Sequence, residues 1–309
     1  MARRVQSPDL VRRLRQVCPD VRERELLRKH VSFRIGGPAD ILVVPRSGDE
    51  LRAVARALFD EHAPFVILGA GSNVLISDGG IRGVVLKIGK GVDRVTRDGD
   101  RIIAESGVGL PHLARDAAAS GLSGLEFAAG IPASLGGAVV MNAGAHGHAM
   151  AEIVAVVHAV TPDGEVELRA AMLEYAYRTS VLQQRAAVVT EAMLHLRAAD
   201  PAAVRRQTDE WLAHRSATQP IGPPSSGCVF RNPAGDHAGR LIDLAGGKGL
   251  QVGGARVSEI HANYIVNTGE ATAVDVLTLM RKVNALVEEK FGVRLDAEVK
   301  LLGETAPDR

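Results

Sequence analysis

The sequence predicts an α+β fold of two or three compact units, and three observations carry that prediction. At 309 residues the chain exceeds one ordinary hydrophobic core. Its opening third reads strand, helix, strand, whereas its middle third offers hairpin turns at Asp98-Gly99 and Asp163-Gly164 between apolar or alternating runs. Its final third carries a well-marked helix over 273–290, with Val276, Met280, Val283 and Val287 on one face, and then a strand over 299–302.

Taken in order, residues 1–30 form a short helical preamble in which Leu10, Leu14 and Val17 keep helical spacing among many charges. Residues 41–44 are an apolar strand. Ser47 and Glu50 make a capping-box pattern for a helix whose buried face is Leu51, Val54, Ala55 and Leu58. Phe65, Val66, Ile67 and Leu68 read as a buried strand running into Gly69-Ala70-Gly71-Ser72-Asn73, after which 74–76 and 84–86 are again extended. A helix over 110–119 and a long glycine-rich loop over 127–145 lie between the two hairpin turns, and a strand over 187–196 closes this part. Pro201 suits the first turn of a helix reaching about Ser216, which marks the boundary to a final domain.

Composition removes several classes of function. The formal charge is +1, and the Arg-Arg pairs at 3–4, 12–13 and 205–206 are isolated, so the clustered basic surface that nucleic acid requires is absent. Cys18 and Cys228 lie far apart without metal-ligand spacing, which leaves neither a disulfide framework nor a metal site and favours a reducing compartment. The opening residues lack a secretory pattern. The uncharged stretch 127–145 holds Gly130, Pro132, Gly136, Gly137, Asn142 and Gly144, a composition suited to a binding loop and poor for a membrane span. A cytoplasmic, monomeric protein without membrane partners is expected.

Two backbone-rich segments point to a bound dinucleotide. Gly69 to Asn73 follows a strand, and the N–H groups of such a turn form an anion-binding nest, although Val74 stands where a Rossmann fingerprint needs glycine and no helix pattern follows. Either segment alone reads equally well as a tight structural turn. The second segment comprises Gly130, Ile131, Pro132, Ser134, Gly136 and Gly137, continuing to Asn142 and Gly144; its small side chains let main chain approach a large flat ligand. Tyr177-Arg178 offers a guanidinium suited to a carboxylate. Cys228 sits in a glycine-containing loop with Arg231 and Asn232, where a lone cysteine is more often structural. Glu298, placed on the terminal strand, would ordinarily face water.

In this order the segments resemble the UDP-N-acetylenolpyruvoylglucosamine reductase family. The resemblance spans about 31–303 and rests on Ser32-Phe33-Arg34-Ile35-Gly36-Gly37-Pro38-Ala39-Asp40, 68–73, 124–144, Tyr177-Arg178, 227–233, Gly239-Arg240-Leu241-Ile242 and 257–263. It implies a two-part FAD-binding domain of the p-cresol methylhydroxylase/vanillyl-alcohol oxidase type, plus a C-terminal α+β substrate-binding domain. The corresponding boundaries are a preamble at 1–30, FAD-binding subdomains at 31–88 and 89–200, and a substrate domain at 201–309 whose last strand is free to rejoin the first subdomain. It also implies non-covalent FAD reduced by NADPH, with hydride passed to the enolpyruvyl double bond of a nucleotide-sugar substrate and an enolate-like charge left on the adjacent carboxylate.

On matching positions the resemblance makes Arg178 and Glu298 the pair that stabilises this charge, with Glu298 protonated or water-bridged and its pKa therefore raised, and makes Cys228 the proton donor where many members carry serine. A thiol, with an ordinary pKa of about 8.5, has more driving force as an acid than an alcohol, and loses activity once ionised. Arg34 and the two glycine segments, with Ser72 and Asn73, fall at cofactor positions; Tyr177, Arg215, Arg231, Asn232 and His261 fall near substrate positions; Gln219 replaces a lysine of some members. Only Ala198-Ala199-Asp200 links 196–197 to the next helix, so the chain resembles the shorter form that lacks a tyrosine-bearing insertion. Two rivals are an FAD-dependent oxidase of the same fold, with His146 or His148 as covalent flavin links, and a redox-inactive nucleotide-sugar-binding protein.

Overall fold

The computed structural model describes residues 8–303; the Arg3-Arg4 pair and the opening of the preamble lie outside the described residues. The chain divides into two compact units. The first takes the chain up to Glu23, Asp40–Ala70 and Gly83–Arg215, and the second takes Arg24–Ala39, Gly71–Arg82 and the chain from Ser216 onward. Two of the five divisions fall inside the 69–73 turn and inside the helix Pro201–Thr218.

The first unit has two apolar clusters. In one, the helix Pro8–Val17 buries Leu10 and Leu14 against Leu51, Val54, Ala55 and Leu58 of the helix Gly48–Asp60. Ser47 caps that second helix by accepting from the Glu50 N–H at 3.1 Å, while the Glu50 carboxylate reaches back to the Arg46 N–H at 2.8 Å. Cys18 is fully buried here, and burial pushes its thiol pKa up, as for a structural cysteine. These helices accompany a sheet in the order Val21–Glu23, Ala39–Val43, Ile81–Lys87, Phe65–Leu68. Phe65–Leu68 corrects the expectation of a buried strand. It is the edge of that sheet, only Leu68 is buried, and Ile67 is 39% exposed, because an edge strand has a neighbour on one side only.

The other cluster surrounds a five-stranded antiparallel sheet in the order Gly164–Arg169, Val154–Thr161, Val188–His195, Arg101–Glu105, Val95–Asp98. Both expected hairpins form, with Gly99 and Gly164 at positive φ in their turns. The 127–145 segment is not one long loop, as the sequence suggested. It contains the helix Leu135–Met141, capped by Ser134 and ended by Asn142 at φ 44°. Glycines weaken a helix by propensity alone, but here the Gly136 N–H is bonded to the Ser106 carbonyl at 2.8 Å, so tertiary contact overrides propensity.

In the second unit the helix Ala273–Phe291 packs Val276, Leu279, Met280, Val283 and Val287 into a core with Val229, Phe230, Leu241 and Ile265. A Thr272/Asp275 capping box starts it and Gly292 at φ 65° ends it. The sheet order is Ser225–Cys228, Tyr264–Asn267, Ala255–Val257, Gln251–Val252, and Lys300–Leu302 runs parallel to Val74–Ile76. Leu279 is fully buried, so Leu279→Ala is expected to cost about 3 kcal/mol. Urea unfolding checks this as a lower midpoint at unchanged slope; an unmoved midpoint would show that the core collapses around the lost side chain.

Candidate active site

The 130–137 segment is built by strapping a small-residue chain onto the edge of the first unit's core. Leu110 N–H bonds the Ala133 carbonyl at 2.8 Å, Leu135 N–H the Val108 carbonyl at 2.8 Å, and Ile131 N–H the Ala128 carbonyl at 3.0 Å. A Cβ on Gly136 would lie 2.8 Å from the Ser106 Cβ, and one on Gly69 only 2.3 Å from the Ser134 hydroxyl. Glycine is needed at both for close approach, which brings the turn at 69 against the loop at 134. Ser106 is buried, yet its hydroxyl finds no protein partner. Lys87 donates to the Gly69 carbonyl, and burial pushes its pKa down to about 8. Pro132 and Gly137 stay exposed, whereas Gly130 is covered by the stem of Arg215, 2.6 Å from where a Cβ would stand.

Arg178 follows in the same unit. It adopts φ 58°, a left-handed conformation uncommon for a side chain of this size, in a turn closed by pairing of Ala176 with Thr179. Its guanidinium donates to the Gly144 carbonyl at 2.9 Å and lies 5.3 Å from the Tyr177 ring centre, with Tyr177 itself 54% exposed. The turn is fastened to the glycine segment from both sides. Asn142 donates to the Ala176 carbonyl at 2.9 Å and accepts from the Ala151 N–H at 2.9 Å, and Ser180 and Gln183 donate to the Val140 carbonyl at 2.6 and 3.2 Å. The Asn142 amide is thereby committed to joining loops, so what this position offers a ligand is its backbone.

The second unit assembles three further candidates through backbone contacts. Cys228 ends the strand Ser225–Cys228, pairs with Tyr264, and is half-buried after a bulge in which Gly227 takes φ 78°. Glu298 precedes the terminal strand rather than lying on it, because Phe230 pairs with Ala297 and the chain bends before Lys300. Its N–H bonds the Val229 carbonyl at 2.8 Å, and its own carbonyl accepts from the Asn73 amide at 3.3 Å. Cys228, Glu298 and Asn73, distant in sequence, are thus neighbours in one unit. Gly71, at φ 70° and with the His30 carbonyl 2.6 Å from any Cβ, admits only glycine, while Ser32 N–H bonds the Gly71 carbonyl at 3.0 Å. Ser72 is half-buried, and Arg34 is exposed at φ 56°.

Arg231 N–H bonds the Asp296 carbonyl at 2.8 Å, and its buried Nε has no protein partner. Asn232 is exposed, its carbonyl accepting from the Ala238 N–H at 3.0 Å. His261 packs edge-on to Tyr264 at 5.0 Å and accepts the Asn263 N–H at 3.2 Å; burial first, then the charge of Lys248, pushes its pKa below the ordinary value. The Tyr264 hydroxyl donates to Gln219 at 2.7 Å, so Gln219 has a partner that a lysine could not accept from. Tyr177 and Arg215 belong to the first unit, Arg215 lying over Gly130, and Arg231, Asn232 and His261 belong to the second. The link at 197–200 is fully engaged. Arg197–Ala198 pairs with Leu122–Ser123, Ala199 N–H bonds the Gly121 carbonyl at 2.8 Å, and Asp200 caps the helix that follows.

Sequence reasoning passed over Ser106, Ser226 and Lys87. The two serines hold buried hydroxyls without partners, a tertiary property with no sequence signal. Lys87 carried a signal, an ionisable residue closing the apolar run Val84-Val85-Leu86.

Residues 39–168 match the FAD binding domain family, and residues 219–302 match the family described as UDP-N-acetylenolpyruvoylglucosamine reductase, C-terminal domain. UDP-N-acetylenolpyruvoylglucosamine reductase 2 of Symbiobacterium thermophilum is 48% identical over 95% of this chain and 97% of its own. The reductase of Bacillus subtilis is 42% identical over 94% and 99%. A crystal structure of UDP-N-acetylenolpyruvylglucosamine reductase from Thermus caldophilus superposes with a TM-score of 0.80 at 37% identity, covering 91% of this chain and 99% of that one. The residues present fit a flavin dinucleotide: close-approach glycines at 69 and 136, an unsatisfied Ser106 hydroxyl, a half-buried ammonium at Lys87, and no acidic side chain within 69–73 or 130–137.

Proposed function

The chain belongs to the UDP-N-acetylenolpyruvoylglucosamine reductase family, and from that premise we propose that it reduces UDP-N-acetylglucosamine enolpyruvate to UDP-N-acetylmuramate, with FAD bound and NADPH as electron donor, for peptidoglycan precursor synthesis. When bound, FAD supplies the two electrons, drawn from NADPH, that the enolpyruvyl double bond takes up. The observation that best supports the reading is the backbone junction of Cys228 and Glu298 through Val229, beside Asn73. A proton donor next to a second acid is of use to a reductase and of none to a protein that only binds.

In this reading, backbone at Gly69, Gly71, Ser72, Gly130, Ile131, Pro132, Gly136, Gly137, Asn142 and Gly144, with Arg34, Asn73 and Ser134, holds the cofactor. Tyr177, Arg215, Arg231, Asn232 and His261 bind the substrate. Arg178 donates to the substrate carboxylate as negative charge builds there, and such a donor is worth about 3–4 kcal/mol when well aimed. Glu298 can assist only as the carboxylic acid or through a water, since a bare carboxylate would repel the same charge. The Cys228 thiol then gives its proton to the carbon bearing that carboxylate.

The subdomains at 31–88 and 89–200, the substrate domain at 201–309, the monomeric state and the cytoplasmic location are parts of the same proposal. No helix among the described residues is long and apolar enough to cross a membrane.

The deciding experiment follows NADPH oxidation with and without the enolpyruvyl substrate. Substrate-dependent turnover is expected; its absence in FAD-loaded protein would favour a binding protein instead. An oxidase with covalent flavin would keep its yellow colour on the denatured chain, whereas release is expected. His146 is stacked on Trp211 at 4.8 Å and His148 is paired with Glu152 at 2.8 Å, so both candidate attachment points are engaged with protein. Gly69→Ala must displace the Ser134 hydroxyl, and is expected to lower the flavin content of purified protein several-fold at little cost to folding. Full flavin occupancy in that variant would count against the Gly69 turn as part of the cradle.

A further inference from the structure

The strand Ile81–Lys87 runs parallel to Phe65–Leu68 with Lys87 opposite Leu68, so the ammonium of Lys87 reaches the turn at the C-terminal end of the neighbouring strand and donates to the Gly69 carbonyl. The Ser134 hydroxyl lies against the same glycine, at the contact that forces glycine at 69, and two residues on Gly136 is bonded to Ser106, whose buried hydroxyl is unsatisfied. Among the described residues no acid is paired with the lysine. The adjoining strands Phe65–Leu68 and Ala39–Val43 and the helix Leu135–Met141 carry one ionisable group between them, Asp40, and it accepts the Gly83 N–H at 3.0 Å. Glu105, the other buried acid of the unit, accepts the Arg94 N–H at 2.9 Å and pairs with the Arg94 guanidinium at 3.4 Å. Burial alone, with no charge contributing, pushes the Lys87 pKa down to about 8.

A cation removed from water without a counter-ion costs free energy unless an anion arrives. A carbonyl needing only a donor would be served as well by a neutral side chain. We propose that Lys87 is a cofactor-binding residue whose ammonium neutralises the diphosphate of FAD at the Gly69 turn. This rests on reading that turn as the diphosphate cradle.

The sign of the pH dependence follows. The free protein holds the ammonium below its ordinary pKa, and a diphosphate favours the ammonium, so binding raises that pKa. FAD affinity is therefore full below about pH 8 and falls by up to tenfold per pH unit above it. Riboflavin, which has no phosphate, escapes this dependence.

The test measures dissociation constants of FAD and of riboflavin for the apoprotein, by flavin fluorescence, between about pH 6.5 and 9.5. Lys87→Met is expected to weaken FAD about 10- to 100-fold and flatten its pH profile, leaving riboflavin unchanged, and Lys87→Arg to retain most of the affinity. The apoprotein Tm of Lys87→Met should be no lower than native, while the rise in Tm on adding FAD shrinks. Unchanged FAD affinity in Lys87→Met, or equal losses for FAD and riboflavin, would overturn the proposal. If Lys87→Met does not fold, the native protein still decides, since parallel pH profiles for FAD and riboflavin refute the role and divergent ones support it. Native apoprotein that binds neither flavin would overturn the cradle reading, and this inference with it.

Discussion

Arg178→Met is expected to lower kcat by about 10²- to 10³-fold while KM changes little, because the lost interaction is one made as charge develops on the substrate. The structure explains why the effect should be large. Four of the seven non-glycine residues at positive φ among the described residues are Asn142, His146, Glu174 and Arg178, so backbone strain is concentrated in the two segments that carry this arginine and its acceptor Gly144. The guanidinium is spent on holding one geometry, with one NH group on the Gly144 carbonyl and the Tyr177 ring against it. Arg178→Lys should recover only part of the loss, since a lysine cannot bond the carbonyl and present a second fixed donor in one plane. Stopped-flow measurement separates the steps. Flavin bleaching by NADPH should keep its native rate, and reoxidation by the enolpyruvyl substrate should slow. Native reoxidation in Arg178→Met would remove Arg178 from the chemistry.

Cys228→Ala is expected to lower turnover by about 10²- to 10⁴-fold, the range for loss of a positioned general acid, whereas Cys228→Ser should retain substantial activity. The two functional residues differ in how they respond to pH. Native activity should fall on the alkaline side as the thiol ionises, because a thiolate has no proton to give, and the profile of Cys228→Ser should stay flat there. Identical alkaline profiles in the native and serine proteins would mean that some other group sets the limb. The position tolerates either side chain on structural grounds. It is half-buried, at the end of a strand and beside a bulge, so one atom can be exchanged without opening a cavity in the core.

Much of the fold was legible where hydrophobic period and turn chemistry agreed. The C-terminal helix was read from Val276, Met280, Val283 and Val287, all of them buried, and both hairpins from an Asp-Gly pair. Where the reading failed, a non-local contact had decided the outcome. The glycines at 136 and 137 argued against helix, but strapping to Ser106 and capping by Ser134 offset their propensity. Phe65–Leu68 looked buried because it is apolar, yet whether an apolar strand is central or at an edge depends on sheet order, which local pattern does not encode. Glu298 was assigned to the last strand from its apolar neighbours; pairing of Ala297 with Phe230 turns the chain before that strand begins.

The candidate site shows the same division. By itself the sequence determined which groups are present: a thiol at 228, a guanidinium at 178, a carboxyl at 298 and two glycine-rich segments, in the order that carries the family resemblance. Chemical type and motif spacing are local, and local information survives in the linear chain. Tertiary structure alone decided that Glu298 is bonded to the residue after Cys228, that Arg178 is fastened to Gly144, and that Lys87 lies against Gly69 with no acid among the described residues paired to it. Each of those depends on backbone hydrogen bonds between segments far apart in the chain and on which polar groups burial leaves without a partner, and neither is a property of any short stretch of residues.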